Sequence, residues 1–141
     1  TDFIFCVSSV VFQSCIIKSL TNSFITAAST RPSQKFGFVF FDCKLIADTA
    51  AQKVYLGRPW RPYSKTVFIR TEMGSHIVKE GWDNWRNAEN EKTVFYAEYK
   101  SYGEGATVEG RAKWSRHLTK KELKQFTLGN IFSGKDDWLP E

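Results

Sequence analysis

The densest group of chemically capable side chains lies in the segment Gly57-Arg58-Pro59-Trp60. Arg58 offers a planar fork of N–H donors that matches a carboxylate, and Trp60 offers a flat face for a sugar ring or a cation. Pro59 holds the backbone rigid between them, while Gly57 permits a tight backbone path. The segment therefore indicates a site for an acidic or sugar-like ligand. The simpler interpretation is an arginine paired with a surface acid beside a half-buried tryptophan.

The cysteines and histidines do not form a recognisable metal motif. The 141 residues include three Cys and two His. Cys6, Cys15 and Cys43 fit neither a zinc spacing nor a disulfide framework, and the two histidines are far apart in sequence. The sequence therefore predicts no metal, no cofactor and no obligatory disulfide.

The charge of the chain is moderately basic. Twenty Lys and Arg against fifteen Asp and Glu give a formal net charge of +5, which favours a polyanion such as nucleic acid, an acidic lipid surface or a uronate polymer. No nucleic-acid motif, membrane-spanning stretch or secretory signal segment is found, so we predict neither a nucleic-acid nor a membrane partner. Much of the excess lies in the tail, where we expect a solvated helix face: Arg111, Lys113, Arg116, Lys120, Lys121 and Lys124.

A recurring Val-Phe pair indicates a structural repeat that would position these side chains. It stands at Val11-Phe12, Val39-Phe40, Val67-Phe68 and Val94-Phe95, which gives an even interval of about 28 residues, within the range of repeat proteins. Each pair begins a run of β-branched and aromatic residues typical of a strand. Further strand-like segments fall between them, at residues 24–27, 54–56 and 77–78.

A repeat of this length that holds at least two strands and no helix predicts an all-β solenoid of stacked coils. Equivalent residues of neighbouring coils lie about 4.8 Å apart, so we expect Cys15 to stack on Cys43, with Thr71 and Glu98 continuing that column. This distance permits a Cys15–Cys43 disulfide. Two buried thiols that act as small apolar residues are the interpretation we favour.

The repeat pattern ends near residue 100, so we divide a single domain into coils over about 1–100 and a loop-rich tail over about 101–141. Within the tail, a capping box at residues 119–122 marks the start of a short helix that carries Leu123 and Phe126. We expect this helix to fold over the last coil or along its side and to bury apolar surface there.

Two sequence blocks carry a resemblance to a known family. YLGRPWRPYSKTVF at residues 55–68 closely resembles the LGRPW block of pectin methylesterases, and DFIF at residues 2–5 is similar to the start of their DFIFG block. The order and approximate separation of the two blocks also match. Similar segments extend to at least Trp114, so the chain resembles the C-terminal half of this family.

The resemblance implies a right-handed, single-stranded parallel β-helix with a cleft for methylesterified homogalacturonan. The family is an aspartyl esterase, and Asp2 would be the nucleophile that attacks the ester carbonyl, forms an acyl-enzyme and releases methanol before water regenerates the acid. Arg58 would lie beside Asp2, because a nearby guanidinium favours the charged form of a carboxylate. Trp60 and Trp82 would line sugar subsites. Family members act outside the cytoplasm, which implies a secreted or periplasmic protein.

Parts of the family pattern are missing or altered. The family's second carboxylate and its oxyanion-stabilising Gln residues belong to motifs before the nucleophile that this sequence lacks, so we expect a longer active enzyme and little activity from these residues alone. Cys6 stands where the family has glycine. If that glycine serves a positive φ or a close approach, a side chain there would displace the nucleophile.

Two other functions stay open at this point. The first is a catalytically inactive β-helix that binds acidic polysaccharide through Trp60, Trp82 and basic residues, which an assay for methanol release would distinguish. The second is binding to nucleic acid, which would require salt-sensitive binding to DNA without binding to pectin.

Overall fold

The computed structural model of the chain describes residues 2–133, so the part of the tail at residues 134–141 lies outside the described structure. The described strands are β1 (Asp2–Cys6), β2 (Val10–Gln13), β3 (Ile16–Ser19), β4 (Ser23–Ala28), β5 (Phe38–Phe41), β6 (Lys44–Ala47), β7 (Val54–Pro59), β8 (Lys65–Ile69), β9 (Glu72–Met73), β10 (Phe95–Tyr99) and β11 (Arg116–His117). A 3-10 helix spans Ala88–Lys92, and two short helices follow as α1 (Lys120–Leu123) and α2 (Leu128–Phe132).

The strands form three parallel sheets. The first sheet has the order β1-β4-β7, the second β2-β5-β8-β10-β11 and the third β3-β6-β9. Successive strands of the chain enter the three sheets in turn, so each coil adds one strand to each sheet for about three coils. All the pairings between these strands are parallel. The predicted parallel β-helix is therefore confirmed.

A column of phenylalanine rings occupies the core behind the second sheet. Phe12 pairs with Phe40, and Phe40 pairs with Phe68. Their ring centroids lie 4.6 and 4.3 Å apart, with nearly parallel planes. These contacts confirm the predicted repeat across the first three Val-Phe pairs, and offset stacking of this kind adds to the free energy gained by burying the rings.

The fourth Val-Phe pair is not equivalent to the other three. Val67 pairs with Ala97 rather than with Val94, and Phe95 pairs with Lys65. This coil is therefore slightly longer than the apparent repeat. The connection between the two strands contains the 3-10 helix at Ala88–Lys92, and its extra length moves the Val-Phe pair out of register.

The register also corrects the predicted cysteine column. Cys15 and Cys43 occupy equivalent positions just before the paired residues Ile16 and Lys44. Glu98 does not continue that column, because it pairs with Phe68. Both thiols are free rather than joined in a disulfide, with Cys43 buried and Cys15 half-buried. Burial raises the pKa of the Cys43 thiol.

The predicted helix start in the tail is confirmed. The Thr119 hydroxyl accepts a hydrogen bond from the backbone N–H of Glu122, whose carboxylate accepts one in return from Thr119. Leu123 and Phe126 pack against the outer face of the second sheet, in the cluster that contains Val67. The helix therefore lies along the side of the solenoid, and α2 is a further helix that we did not predict.

A loop over residues 103–115 closes the core beyond the last coil, and a buried ion pair lies at its centre. The Arg111 guanidinium donates to both carboxylate oxygens of Glu98, at 2.8 and 3.2 Å, and the two side chains are only 3% and 2% exposed. The expectation that Arg111 lies on a solvated face was therefore wrong. Because Glu98 pairs with Phe68, the ion pair takes the next place after the phenylalanine column.

Within residues 2–133, no helix combines the length and apolar character needed to cross a membrane.

Candidate functional site

An acid and an arginine that are far apart in sequence meet on the first sheet. Asp2 begins β1 and Arg58 lies near the end of β7, two coils away. The Arg58 guanidinium donates through Nε to Asp2 Oδ1 at 2.8 Å and through Nη2 to Oδ2 at 3.0 Å. The side chain of Arg58 is 22% exposed and that of Asp2 is 19% exposed. This bidentate contact fixes the carboxylate in direction while leaving it within reach of solvent.

Two aromatic rings hold the guanidinium in place. The Arg58 Cζ atom lies 3.9 Å from the ring centroid of Phe24 and 3.8 Å from that of Trp85. Phe24 pairs directly with Asp2 in the sheet, whereas Trp85 comes from the loop after the first sheet. Stacking on both faces of a guanidinium restricts its rotation and is favourable electrostatically. The orientation of Arg58 is therefore set by the two rings and by its hydrogen bonds to Asp2, and these contacts also fix the Asp2 carboxylate.

The loop that carries Trp85 has an uncommon backbone conformation. Trp85 and Arg86 both have positive φ values, of 58° and 56°, in a region that side chains other than glycine enter at a cost of about 1–2 kcal/mol. The backbone N–H of Trp85 donates to the Asp83 carboxylate at 2.9 Å. The loop is thus held by its own hydrogen bonds in the conformation that places the tryptophan over Arg58.

Gly57 allows the two neighbouring coils to approach each other beneath Arg58. A Cβ atom at this position would lie 2.3 Å from Thr26 Oγ1 and 3.2 Å from the Trp82 ring. Thr26 donates a hydrogen bond to the Leu56 carbonyl at 3.0 Å, so it has little freedom to move aside. The tight backbone path predicted at Gly57 is therefore present.

An exposed aromatic pair continues the site along the strands. Trp60 is 45% exposed and Phe5 60% exposed, and their rings meet edge to face with centroids 5.3 Å apart. Phe5 follows Asp2 on β1, and Trp60 follows Arg58 just after β7. Exposed aromatic faces of this kind suit stacking against sugar rings.

Trp82, which we expected to line the same surface, lies in the core. It is only 2% exposed, and its ring stacks on Tyr96 at 4.4 Å between centroids. The ring has no free face for a sugar, so the interpretation of Trp82 as a substrate-binding residue was wrong. Its position follows from pairing with Gly57 in the first sheet, which aims the side chain inward.

Cys6 does not disturb the site in the way that we considered. The residue is part of the extended strand β1, and it is not among the residues with positive φ. Its side chain packs against the main core cluster. A hydrogen bond from the backbone N–H of Ser8 to its sulfur, at 3.2 Å, lowers the pKa of the Cys6 thiol.

Three contributors to the site were missed in the sequence. Phe24 and Phe5 lie in strand-like segments, where an aromatic side chain normally indicates core packing. The strand register that pairs Phe24 with Asp2 is the signal that identifies it. Trp85 lies in a non-repetitive loop, and no pattern in the sequence points to its contact with Arg58.

The described residues offer no evident metal centre. Across residues 2–133, no group of three or more His, Cys, Asp or Glu side chains is placed to hold a metal ion. The contact of Asp2 with Arg58 gives the site the chemistry of an oriented carboxylate. Such a group can attack an electrophilic carbonyl carbon when the substrate is held against it.

Comparisons with known proteins agree on one family. A sequence profile described as "Pectinesterase" matches residues 1–135. "Putative pectinesterase 11" from Arabidopsis thaliana is 40% identical over 142 residues, which cover 99% of this chain and 39% of that protein. "Pectinesterase 2" from Citrus sinensis is 35% identical over 153 residues, which cover 99% of this chain and 30% of that protein.

Solved structures agree with the sequence matches. The structure titled "Pectin methylesterase from Carrot" superposes with a TM-score of 0.84 at 31% identity, covering 92% of this chain and 46% of the other. A pectin methylesterase "in complex with hexasaccharide VII" superposes with a TM-score of 0.78 at 30% identity, covering 98% and 49%. The chain therefore spans less than half the length of these relatives.

Proposed function

Because the chain belongs to the pectinesterase family, we propose that it carries the nucleophile of an enzyme that hydrolyses the methyl esters of pectin. The substrate is methylesterified homogalacturonan, and the products are methanol and a free galacturonate. The hexasaccharide bound to a solved pectin methylesterase supports an extended saccharide as ligand. We further propose that the protein acts outside the cytoplasm, where a cell-wall polymer is accessible.

The contact between Asp2 and Arg58 is the observation that carries this proposal. One Asp2 carboxylate oxygen attacks the carbonyl carbon of the ester, and collapse of the tetrahedral intermediate breaks the bond to the methoxy oxygen. The departing oxygen takes up a proton and leaves as methanol, while the galacturonate acyl group remains on Asp2. Water then attacks this anhydride and regenerates the carboxylate.

Arg58 is a positioning residue in this mechanism. Its two hydrogen bonds to Asp2 and its stacking between Phe24 and Trp85 hold the attacking oxygen in a fixed direction. Trp60 lines a sugar subsite beside it. We propose that the proton donor and the oxyanion donors come from residues outside positions 2–133.

Methanol release from highly methylated pectin tests the proposal. The assay uses the protein encoded by the whole open reading frame that contains these residues, with the 141-residue chain measured alongside. Asp2→Asn is expected to reduce turnover at least about a thousandfold. Arg58→Lys keeps the charge but loses the bidentate fork, and we expect a loss of about 10- to 100-fold.

Asp42→Asn is the matched control, because Asp42 also accepts a hydrogen bond from an arginine, Arg70, at 2.9 Å. That pair lies in the turns after the second sheet, away from the proposed nucleophile, and the variant should keep full turnover. Turnover retained by Asp2→Asn would remove this residue from the mechanism. Retention on pectin without any methanol would favour the second candidate, a binding module that uses the exposed rings of Trp60 and Phe5.

A further inference from the structure

A cavity lies between the outer face of the second sheet and the segment that includes α1. It has a volume of about 150 Å³. Apolar side chains from the sheet and from this segment form much of its wall: Phe36, Val39, Val67, Phe95 and Phe126. An apolar cavity of about 150 Å³ in another protein binds benzene. The cavity therefore has the size and the lining to hold one aromatic ring.

The apolar wall is held in place by contacts that do not involve a ligand. Val39 on β5 pairs with Val67 on β8, and both side chains are almost fully buried. The rings of Phe36 and Phe126 meet edge to face, with centroids 5.4 Å apart. A ligand would therefore enter a wall that is already ordered, which lowers the entropic cost of binding.

A lysine places one charged group at the cavity. Lys65 lines it, and its Nζ atom donates a hydrogen bond to the Gln34 carbonyl oxygen. Within residues 2–133, no carboxylate lies within 4.0 Å of the Lys65 ammonium. Burial lowers the pKa of Lys65, because removal from water disfavours the charged form. A ligand carboxylate would supply the missing counter-charge and accept from the further N–H donors of the ammonium.

The other charged side chains at the cavity also favour an anion. Lys35 and Glu122 line it with Lys65, so two lysines against one glutamate give a local charge of +1. The Glu122 carboxylate accepts a hydrogen bond from the backbone N–H of Thr119 at 3.0 Å, which holds this acid at the start of α1. The net charge therefore favours an anionic ligand over a neutral or a cationic one.

We propose that this cavity is a binding site for a small monocyclic aromatic carboxylate, with its ring against the apolar wall and its carboxylate at the Lys65 ammonium. Such a ligand contacts both the second sheet and the segment after α1, so it ties the tail to the coils. Asp2 and Arg58 lie on the first sheet, and binding in the cavity does not depend on the proposed esterase activity.

Three small probes test the proposal by NMR titration: benzoate, benzyl alcohol and acetate. The titrations use the protein encoded by the whole open reading frame that contains these residues. Benzoate is expected to bind with a dissociation constant on the order of 1 mM, a reasonable affinity for so small a ligand. It should bind at least about tenfold more tightly than benzyl alcohol, which has the ring without the charge. It should exceed acetate, which has the charge without the ring, by a similar factor.

Lys65→Met removes the charge and keeps an apolar side chain. The variant should bind benzoate about tenfold more weakly than the parent protein, with a change of less than about twofold for benzyl alcohol. Lys18→Met is the matched control, because Lys18 is an exposed lysine on β3, in the third sheet. It should leave both dissociation constants within about twofold, since salt screens a distant surface charge.

Phe126→Leu provides a second measurement that changes no charge. It removes an aromatic ring from the cavity wall, so the affinities for benzoate and for benzyl alcohol should both fall by about threefold or more. Circular dichroism checks that each variant keeps the fold of the parent protein. If Lys65→Met does not fold, the three affinities of the parent and the Phe126→Leu variant still decide the question.

Three results would overturn the proposal. The first is a parent protein that binds benzoate no more tightly than benzyl alcohol or acetate. The second is an equal loss of benzoate affinity in Lys65→Met and Lys18→Met. The third is an unchanged affinity for both aromatic probes in Phe126→Leu, because the ring would then bind elsewhere.

Discussion

Removing the arginine of the buried ion pair should destabilise the solenoid strongly. In Arg111→Met, the Glu98 carboxylate loses both of its hydrogen bonds from the guanidinium and keeps only the Ser101 hydroxyl, at 3.0 Å. The same change removes the donors to the carbonyl oxygens of Val78, Lys79 and Gly105. The Glu98 carboxylate then remains charged although only 2% of its side chain is exposed to solvent.

The expected magnitude follows from the cost of an uncompensated buried charge. Breaking one partner of a buried pair typically lowers the free energy of unfolding by about 3–5 kcal/mol. The total free energy of unfolding of a small protein is about 5–15 kcal/mol, so the variant would be only marginally stable. With a urea dependence of about 2 kcal/mol/M, the unfolding midpoint should fall by about 1.5–2.5 M.

Urea unfolding followed by tryptophan fluorescence and circular dichroism measures this change. Arg70→Met is the control, because Arg70 pairs with Asp42 at 2.9 Å but both side chains are roughly half exposed. Exposed pairs contribute about 0–1 kcal/mol, so this midpoint should fall by less than about 0.5 M. The double variant Glu98→Leu/Arg111→Met should recover much of the lost stability, since no unpaired charge remains.

Equal shifts of the midpoint in Arg111→Met and Arg70→Met would refute the reasoning. So would a double variant that is no more stable than Arg111→Met, because the loss would then come from the packing of the arginine rather than from the charge left on Glu98.

Two further predictions concern the core. Gly57→Ala should lower the free energy of unfolding by about 1–3 kcal/mol, because the added Cβ atom would lie 2.3 Å from Thr26 Oγ1. Thermal unfolding measures this change. Gly129→Ala is the control, because a Cβ atom there would lie 4.0 Å from its nearest side-chain contact, Thr127 Oγ1. Burial lowers the pKa of His76 from its ordinary 6.5, so the unfolded chain takes up a proton before the folded one does and stability should fall as the pH drops below 6.5. The urea midpoints at about pH 7.5 and about pH 5.5 should therefore differ less in His76→Leu than in the parent chain. An equal difference in both proteins would show that His76 does not cause the loss of stability at low pH.

The coils could be predicted from the sequence because their core columns repeat one residue type. Phe12, Phe40 and Phe68 recur at equal spacing, and their stacking requires that spacing. The sequence did not distinguish the strands of the third sheet from those of the second, because the turn between these strands contains no glycine to mark it. It is formed by residues of different types with positive φ: Ser14, Asp42, Arg70 and Lys100. These turn residues follow the true register of the coils, including the longer last coil.

The proposed site depended on resemblance more than on local pattern. No periodicity relates Asp2 to Arg58, and their contact arises from a register that spans two coils. Trp82 was misassigned because a tryptophan suits a core as well as a sugar-binding surface. The role of Arg111 could not be predicted, because a charged residue among glycines normally indicates solvent exposure.

The buried Glu98–Arg111 pair beyond the last coil also affects whether the protein can associate with copies of itself. Open parallel sheets can recruit strands from other molecules and grow into fibrils. Here β9 and β11 shrink to two residues each, and the segment that holds Arg111 crosses the place where a further layer would dock. A second molecule would have to displace an ion pair from its interior position to extend the ladder at this end. The same feature that completes the core thus opposes the addition of a second molecule at this end of the solenoid.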